Sequence, residues 1–183
     1  MTGSGRVIAV ARDGAHRFGK IVQQEILLVA GLGVAGDAHF GATVKHRSRA
    51  AKTPEAPNLR QVHLLQGELL KELAAAGFEV APGSMGENIT THGIDLLGLP
   101  RHIHMRLGST AVIEVTGLRN PCRQIDENVG KGAMAATLAK ADDGSLIRRA
   151  GIMATVVTGG SVRPGDTIDI VGWPERVKPL RPV

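Results

Sequence analysis

The stretch EILLVAGLGVAGDAHFG, residues 25–41, joins a strand-like apolar run to the triplet Gly31-x-Gly33-x-x-Gly36. That order opens a dinucleotide-binding turn, provided that a crossover helix follows and packs its apolar face on a sheet. No such helix follows. After Phe40 and Val44 the next large apolar residue is Leu59, and Pro54 and Pro57 lie between. Helical periodicity is missing and both prolines oppose a helix, so this segment reads as a long polar loop. The Rossmann reading fails there, and the glycines need another explanation.

Working outward, most of the chain reads as short strands separated by glycine turns, the pattern of an antiparallel barrel or sandwich. Residues Arg6 to Arg12, Glu25 to Ala30, Gln61 to Leu65 and Gly151 to Thr158 are strand candidates. Leu107 to Val115 and Pro164 to Val171 each begin at a glycine turn and continue with alternating apolar residues, as barrel strands entered through similar turns would. Leucines 69, 70 and 73 mark a short amphipathic helix in Gly67 to Gly77, ended by its glycine. Lys131 to Lys140 reads as a second helix, and the proline-bearing tail from Gly172 to Val183 as loosely ordered.

A length of 183 residues with 43% hydrophobic residues suits one well-buried domain over 1–183, with a core of about 6–171. No apolar run is long enough for a membrane-spanning helix and the first residues lack a signal-peptide core, so a soluble, cytoplasmic protein is expected. Aromatic residues make up 2% of the chain and tyrosine is absent, which removes the stacking platforms of most single-strand nucleic-acid binders. A net charge of +5 favours an anionic ligand. Part of it is concentrated at Lys45, Arg47, Arg49 and Lys52, a run that reads either as a solvated loop or as phosphate contacts.

Three segments can carry chemistry. Cys122 is the only cysteine, so neither an internal disulfide nor a multi-cysteine metal site is available. It is either a small buried hydrophobe or a reactive thiol, and Arg119 and Arg123 would favour the thiolate if they fold back towards the sulfur. Gly83-Ser-Met-Gly86-Glu87-Asn88 is a glycine-bounded turn carrying a carboxylate and an amide just before a short strand. Asp37 and His39 share a face in an extended segment, fit for metal binding, acid-base pairing or a structural hydrogen bond, and His102-x-His104 repeats that spacing. Serine-hydrolase, P-loop and zincin motifs are absent from the sequence.

In combination, Gly36-Asp-x-His39-x-Gly41, Val62-His-Leu, Gly83-x-x-Gly86-Glu-Asn88-Ile-Thr, Gly93-Ile-Asp-Leu-Leu, Asn120-Pro-Cys122 and the closing Gly159-Gly160 and Pro164-Gly-Asp166 resemble, in order and approximate spacing, the MOSC family. That family is named for the C-terminal domain of molybdenum cofactor sulfurase, and the likeness runs from about Arg6 to Val171. The resemblance implies a mostly β fold, a closed or partly open β-barrel with a few short helices. It implies a molybdenum cofactor, with Cys122 as a thiolate ligand to the metal or as a persulfide carrier. Asn120, Glu87, Asn88, Asp37 and His39 match family motifs as cofactor-binding candidates, whereas Lys45, Arg47, Arg49, Arg119 and Arg123 are candidates by charge alone.

The larger relatives carry a pyridoxal-phosphate desulfurase or a further β domain that 183 residues leave no room for. The chain therefore resembles stand-alone members, some of which reduce N-hydroxylated bases, and pyridoxal phosphate is not expected. Three functions follow: a molybdenum-cofactor reductase of small N-hydroxylated compounds served by a separate electron-donor reductase; a sulfur carrier fed by a cysteine desulfurase; and a basic RNA-binding barrel. The scarcity of aromatic residues weighs against the third, and no membrane partner is expected.

Overall fold

The computed structural model describes residues 4–45 and 53–183. Its strands are β1 (Gly5–Arg12), β2 (Ile21–Gln23), β3 (Ile26–Val29), β4 (Gly33–Val34), β5 (Val62–Gln66), β6 (Ile89–His92), β7 (His104–Leu107), β8 (Ala111–Leu118), β9 (Leu138–Lys140), β10 (Leu146–Arg148), β11 (Ile152–Thr158), β12 (Gly160–Val162) and β13 (Thr167–Gly172). Three short helices accompany them among the described residues: α1 (Gly67–Ala75), α2 (Gln124–Val129) and α3 (Ala133–Ala136).

Hydrogen bonding runs β13-β7-β8-β11-β5-β6-β1, and β1 pairs again with β13 through Gly5 and Ile168, so seven strands close into a barrel. Closure leaves those seven without a free edge. Every pair in the ring is antiparallel except β5 with β6, which run parallel, with α1 in the connection between them. β8 shows why this sequence curls around a core: its burial alternates along Ala111, Ile113 and Val115, which point inward with Leu64, Ile89, Met105, Leu107, Ile152 and Ile168. Each such side chain of valine size or larger contributes about 1.5–3 kcal/mol when removed from water.

The opening stretch resolves into a hairpin. β3 and β4 pair antiparallel through Leu28 with Val34 and Val29 with Gly33, and Gly31 turns between them at φ +71°. A left-handed turn in a hairpin is what glycine permits most cheaply, so the three-glycine pattern has no need of a nucleotide.

A second apolar cluster lies outside the barrel, where Leu69, Leu70 and Leu73 of α1 meet Leu65, Met85 and Ile125. Its importance is positional: Met85 anchors the 83–88 turn, and Ile125 anchors the segment just after Cys122.

Two expectations are corrected. Residues 131–140 do not form one helix: α3 spans only Ala133–Ala136, and Leu138–Lys140 leave it as β9 to pair with β10. Four helical residues cannot outweigh a hairpin ladder that satisfies the backbone groups of 138–140. The tail is not loose either. Leu118 N–H donates to the Arg181 carbonyl and Val183 N–H to the Leu118 carbonyl, while Leu180 packs against the barrel core.

Candidate functional site

The 83–88 turn is built around its own carboxylate. Glu87 is fully buried; its Oε1 accepts from Gly83 N–H (2.7 Å) and Thr90 Oγ1 (3.1 Å), and its Oε2 from Met85 N–H (3.1 Å). Burial pushes the carboxyl pKa up, against the opposing pull of those hydrogen bonds. Gly83 and Gly86 sit at φ +88° and +78°, and a Cβ on either would strike the carbonyl oxygen of Lys20 or Phe18 respectively. These glycines therefore let the turn lie directly against the Phe18–Lys20 backbone.

Asn88 links this turn to the Asp37 loop. Its Nδ2 donates to the Ala11 carbonyl (3.1 Å) and to Asp37 Oδ2 (3.0 Å), and its Oδ1 accepts from His63 N–H (3.2 Å). Asp37 Oδ2 also receives Lys20 Nζ at 2.6 Å, while Oδ1 receives the backbone N–H of His39 (3.0 Å) and lies 3.2 Å from His39 Nδ1. Burial opposes the Asp37 charge, but His39 and Lys20 outweigh it and hold the carboxyl well below the usual carboxylate range. Lys20, with 6% of its side chain exposed, is pulled down by burial and back up by Asp37.

Arg119 is a second buried cation, and its situation differs. It ends the β8 segment with its N–H donated to the Gly151 carbonyl (3.0 Å), and its guanidinium lies 5.4 Å from the centre of the Phe18 ring. Nη1 is buried without a hydrogen-bond partner, and Arg119 takes part in no ion pair among the described residues. Burial lowers its pKa, offset by the nearby Cys122 and Glu87. An unsatisfied buried donor on a cation costs several kcal/mol relative to a paired one, roughly 1–3 or more, so this group is suited to an incoming anion.

Cys122 follows in the loop between β8 and α2, half-buried, with its thiol 3.7 Å from Gln124 Oε1. His63, from β5, completes the surroundings: its Nε2 lies 2.8 Å from the Ala150 carbonyl. Burial, reinforced by the Arg119 charge, keeps its imidazole well below the ordinary range and therefore neutral.

The candidates thus separate. Asp37, His39, Asn88, Glu87, Arg119 and Cys122 form one connected neighbourhood. Asn120 is exposed, its Oδ1 accepting from Arg148 Nε at 3.0 Å. Arg123 has its side chain 89% exposed and pairs with Glu127 one helical turn on (3.3 Å), so its charge is spent in solvent. Lys45 is exposed, and Arg47 and Arg49 lie outside the described residues. His102 and His104 both reach Glu114, at 2.8 and 3.1 Å, on the barrel exterior. Sequence reasoning passed over Lys20, Phe18 and His63 as site residues; the Val62-His63-Leu motif was the one available signal.

Among the described residues no group of three or more His, Cys, Asp or Glu side chains is placed to hold a metal ion. A metal at Cys122 would have to arrive with most of its ligands already attached.

The closed barrel thus sets its one thiol near a buried guanidinium whose Nη1 has no hydrogen-bond partner. The MOSC domain model matches residues 36–169, and the chain belongs to that family, which is associated with molybdenum cofactor binding. No curated protein matches it. Among solved structures, the YuaD protein from Bacillus subtilis superposes with a TM-score of 0.75 at 23% identity, over 92% of this chain and 96% of that one. YiiM from Escherichia coli gives 0.59 at 21% identity over 94% and 72%, and YiiM from Geobacillus stearothermophilus 0.62 at 13% over 92% and 75%. At those identities the likeness is one of fold. No helix among the described residues is long and apolar enough to cross a membrane.

Proposed function

We propose that this chain binds the molybdenum cofactor at Cys122 and acts as an oxidoreductase on small N-hydroxylated compounds, with electrons supplied by a separate reductase. The observation that carries the reading is the unpaired Nη1 of Arg119 beside the chain's one thiol. A pterin cofactor fits that donor set: it is anionic, it brings sulfur ligands of its own, and its metal accepts a soft thiolate. When bound, the cofactor supplies a two-electron metal centre.

The chain's residues divide the remaining work. Cys122 offers the thiolate, and Arg119 offers a hydrogen-bond donor and a compensating charge to an anionic oxygen. Glu87, Asn88 and Asp37 have committed their side-chain oxygens within the protein, so they act as positioning residues that fix the turn, Lys20 and the strand carrying His63. The overall conversion of an N–OH to an N–H consumes two electrons and two protons and releases water.

A sulfur carrier is the second reading, and a specific observation favours it. Cys122 sits half-exposed on a loop, where a desulfurase could reach it and leave a persulfide. The deciding experiment is molybdenum per chain by elemental mass spectrometry, on wild type and Cys122→Ala purified from cells that make the cofactor. Metal in wild type that is lost in the variant supports thiolate ligation. Equal metal in both overturns it, and metal in neither redirects the search to a persulfide on Cys122.

A further inference from the structure

A cleft of about 530 Å³ is lined by Phe18 and Lys20 of one loop, by Pro82, Gly83 and Ser84 of the neighbouring turn, and by Asn128. Phe18 lines this cleft and also lies against Arg119, which does not line it. The aromatic ring is thus the partition between an open cleft and a buried cation. Arg119 is 9% exposed, its Nη1 has no partner, and the ring supplies only a cation-π contact where an anion would supply a hydrogen bond and a full charge.

The backbone beneath the ring is clamped. Gly83 and Gly86 press against the carbonyls of Lys20 and Phe18, so the main chain at 18–20 has no room to shift towards the turn. The Phe18 side chain is half-buried and packs against the outer apolar cluster, so with the backbone fixed the partition opens only by a rotation of the ring.

We propose that Phe18 is a movable cover over an anion site, and that a small phosphate-bearing ligand entering the cleft displaces the ring and takes the Nη1 of Arg119. This deepens the cofactor reading and rests on it in taking the ligand's anion to be a phosphate. Phe18 then selects for ligands that carry both an anion and a flat body to replace the lost ring contact.

The test uses the full chain purified from cells unable to make the pterin cofactor, with phenylglyoxal labelling of each arginine followed by peptide mass spectrometry. In wild type, Arg119 labels much more slowly than exposed Arg123, and inorganic phosphate slows Arg119 further while leaving Arg123 unchanged. Phe18→Ala raises the Arg119 rate by about thirtyfold, the factor that losing a desolvated cation-π contact corresponds to. Phe18→Leu, which keeps most of the packing on the α1 cluster, gives an intermediate increase and guards against a variant that fails to fold. An unchanged Arg119 rate in both variants, or no protection by phosphate, overturns the proposal. Protection by phosphate here, together with no molybdenum in wild type purified from cells that do make the cofactor, would reject the cofactor reading alone. Molybdenum lost in Cys122→Ala, with no phosphate protection of Arg119, would reject the covered site alone.

Discussion

Asp37→Asn should destabilise the fold more than Lys20→Met does, although the two residues form one ion pair. The asymmetry comes from what each partner has left. Lys20 has 6% of its side chain exposed, and Asp37, at 2.6 Å, is its hydrogen-bond partner. Asp37 without Lys20 would still be held by Asn88 Nδ2, the His39 N–H and the His39 ring, with the Asp13 N–H at 3.4 Å. Breaking a buried pair so as to strand one charge costs about 3–5 kcal/mol. The asparagine oxygen can still accept from Lys20, which points to the lower end, about 3 kcal/mol. For a chain of this size that is a fall in Tm of roughly 6–12 °C, taking about 2–4 °C per kcal/mol. Lys20→Met leaves a well-bonded carboxylate and should cost about 1.5 kcal/mol, the lower end for one lost hydrogen bond to a charged group. Urea unfolding with a constant m-value measures both, and the double variant should resemble Lys20→Met rather than the sum. Because the folded Asp37 carboxyl is held far below its unfolded value of about 4, its contribution is complete above that pH and fades only as pH falls through the folded value. Equal costs for the two single variants would refute the reasoning.

Two further outcomes follow from the same neighbourhood. Wild-type stability should fall as pH drops below about 6.5, because the unfolded His63 takes a proton that the buried ring refuses, with a slope of up to about 1.4 kcal/mol per pH unit; His63→Gln should flatten that slope in urea titrations between pH 7 and pH 5. Gly31→Ala, at a left-handed turn with open space around it, should cost about 1 kcal/mol, whereas Gly83→Ala adds a collision with the Lys20 carbonyl and should cost roughly 3 kcal/mol or more, both read by thermal unfolding.

The barrel was legible because its signals are local. Alternating apolar residues in 111–115 and 167–171 state which face is buried, and the lack of helical periodicity in the sequence after Gly41 argues against the parallel alternative. The 131–140 segment misled because alanines favour a helix while the hairpin that captures 138–140 depends on residues 146–148, which no local window includes. The tail misled for a related reason: its hydrogen bonds run to Leu118, about sixty residues away in the chain. Within the site, Glu87 and Asn88 were visible as turn chemistry and Asp37 as one of a pair with His39, but their partners in the fold were not. Nothing in Arg-Phe-Gly-Lys at 17–20 announces that its lysine will meet Asp37 or that its phenylalanine will lie against Arg119, because both contacts join loops to residues well separated in the chain.

Lys20 and Arg119 show how the same fold treats two buried cations in opposite ways. Lys20 is matched by a carboxylate whose own remaining lone pairs are filled, and the pair has no capacity left for a ligand. Arg119 faces Glu87, but Glu87 directs its oxygens to Gly83, Met85 and Thr90, so the charge is near while its hydrogen-bonding capacity is already taken. A protein under selection for stability alone could replace such an arginine by an apolar residue at little cost or at a gain. Its position beside the single thiol, with Nη1 unpartnered and a ring between it and a cleft, is what the proposed anion would complete. On the proposed reading, ligand binding is determined at the end of β8 and in the Phe18 loop, and the turn and the Asp37 loop are the frame that holds them in register.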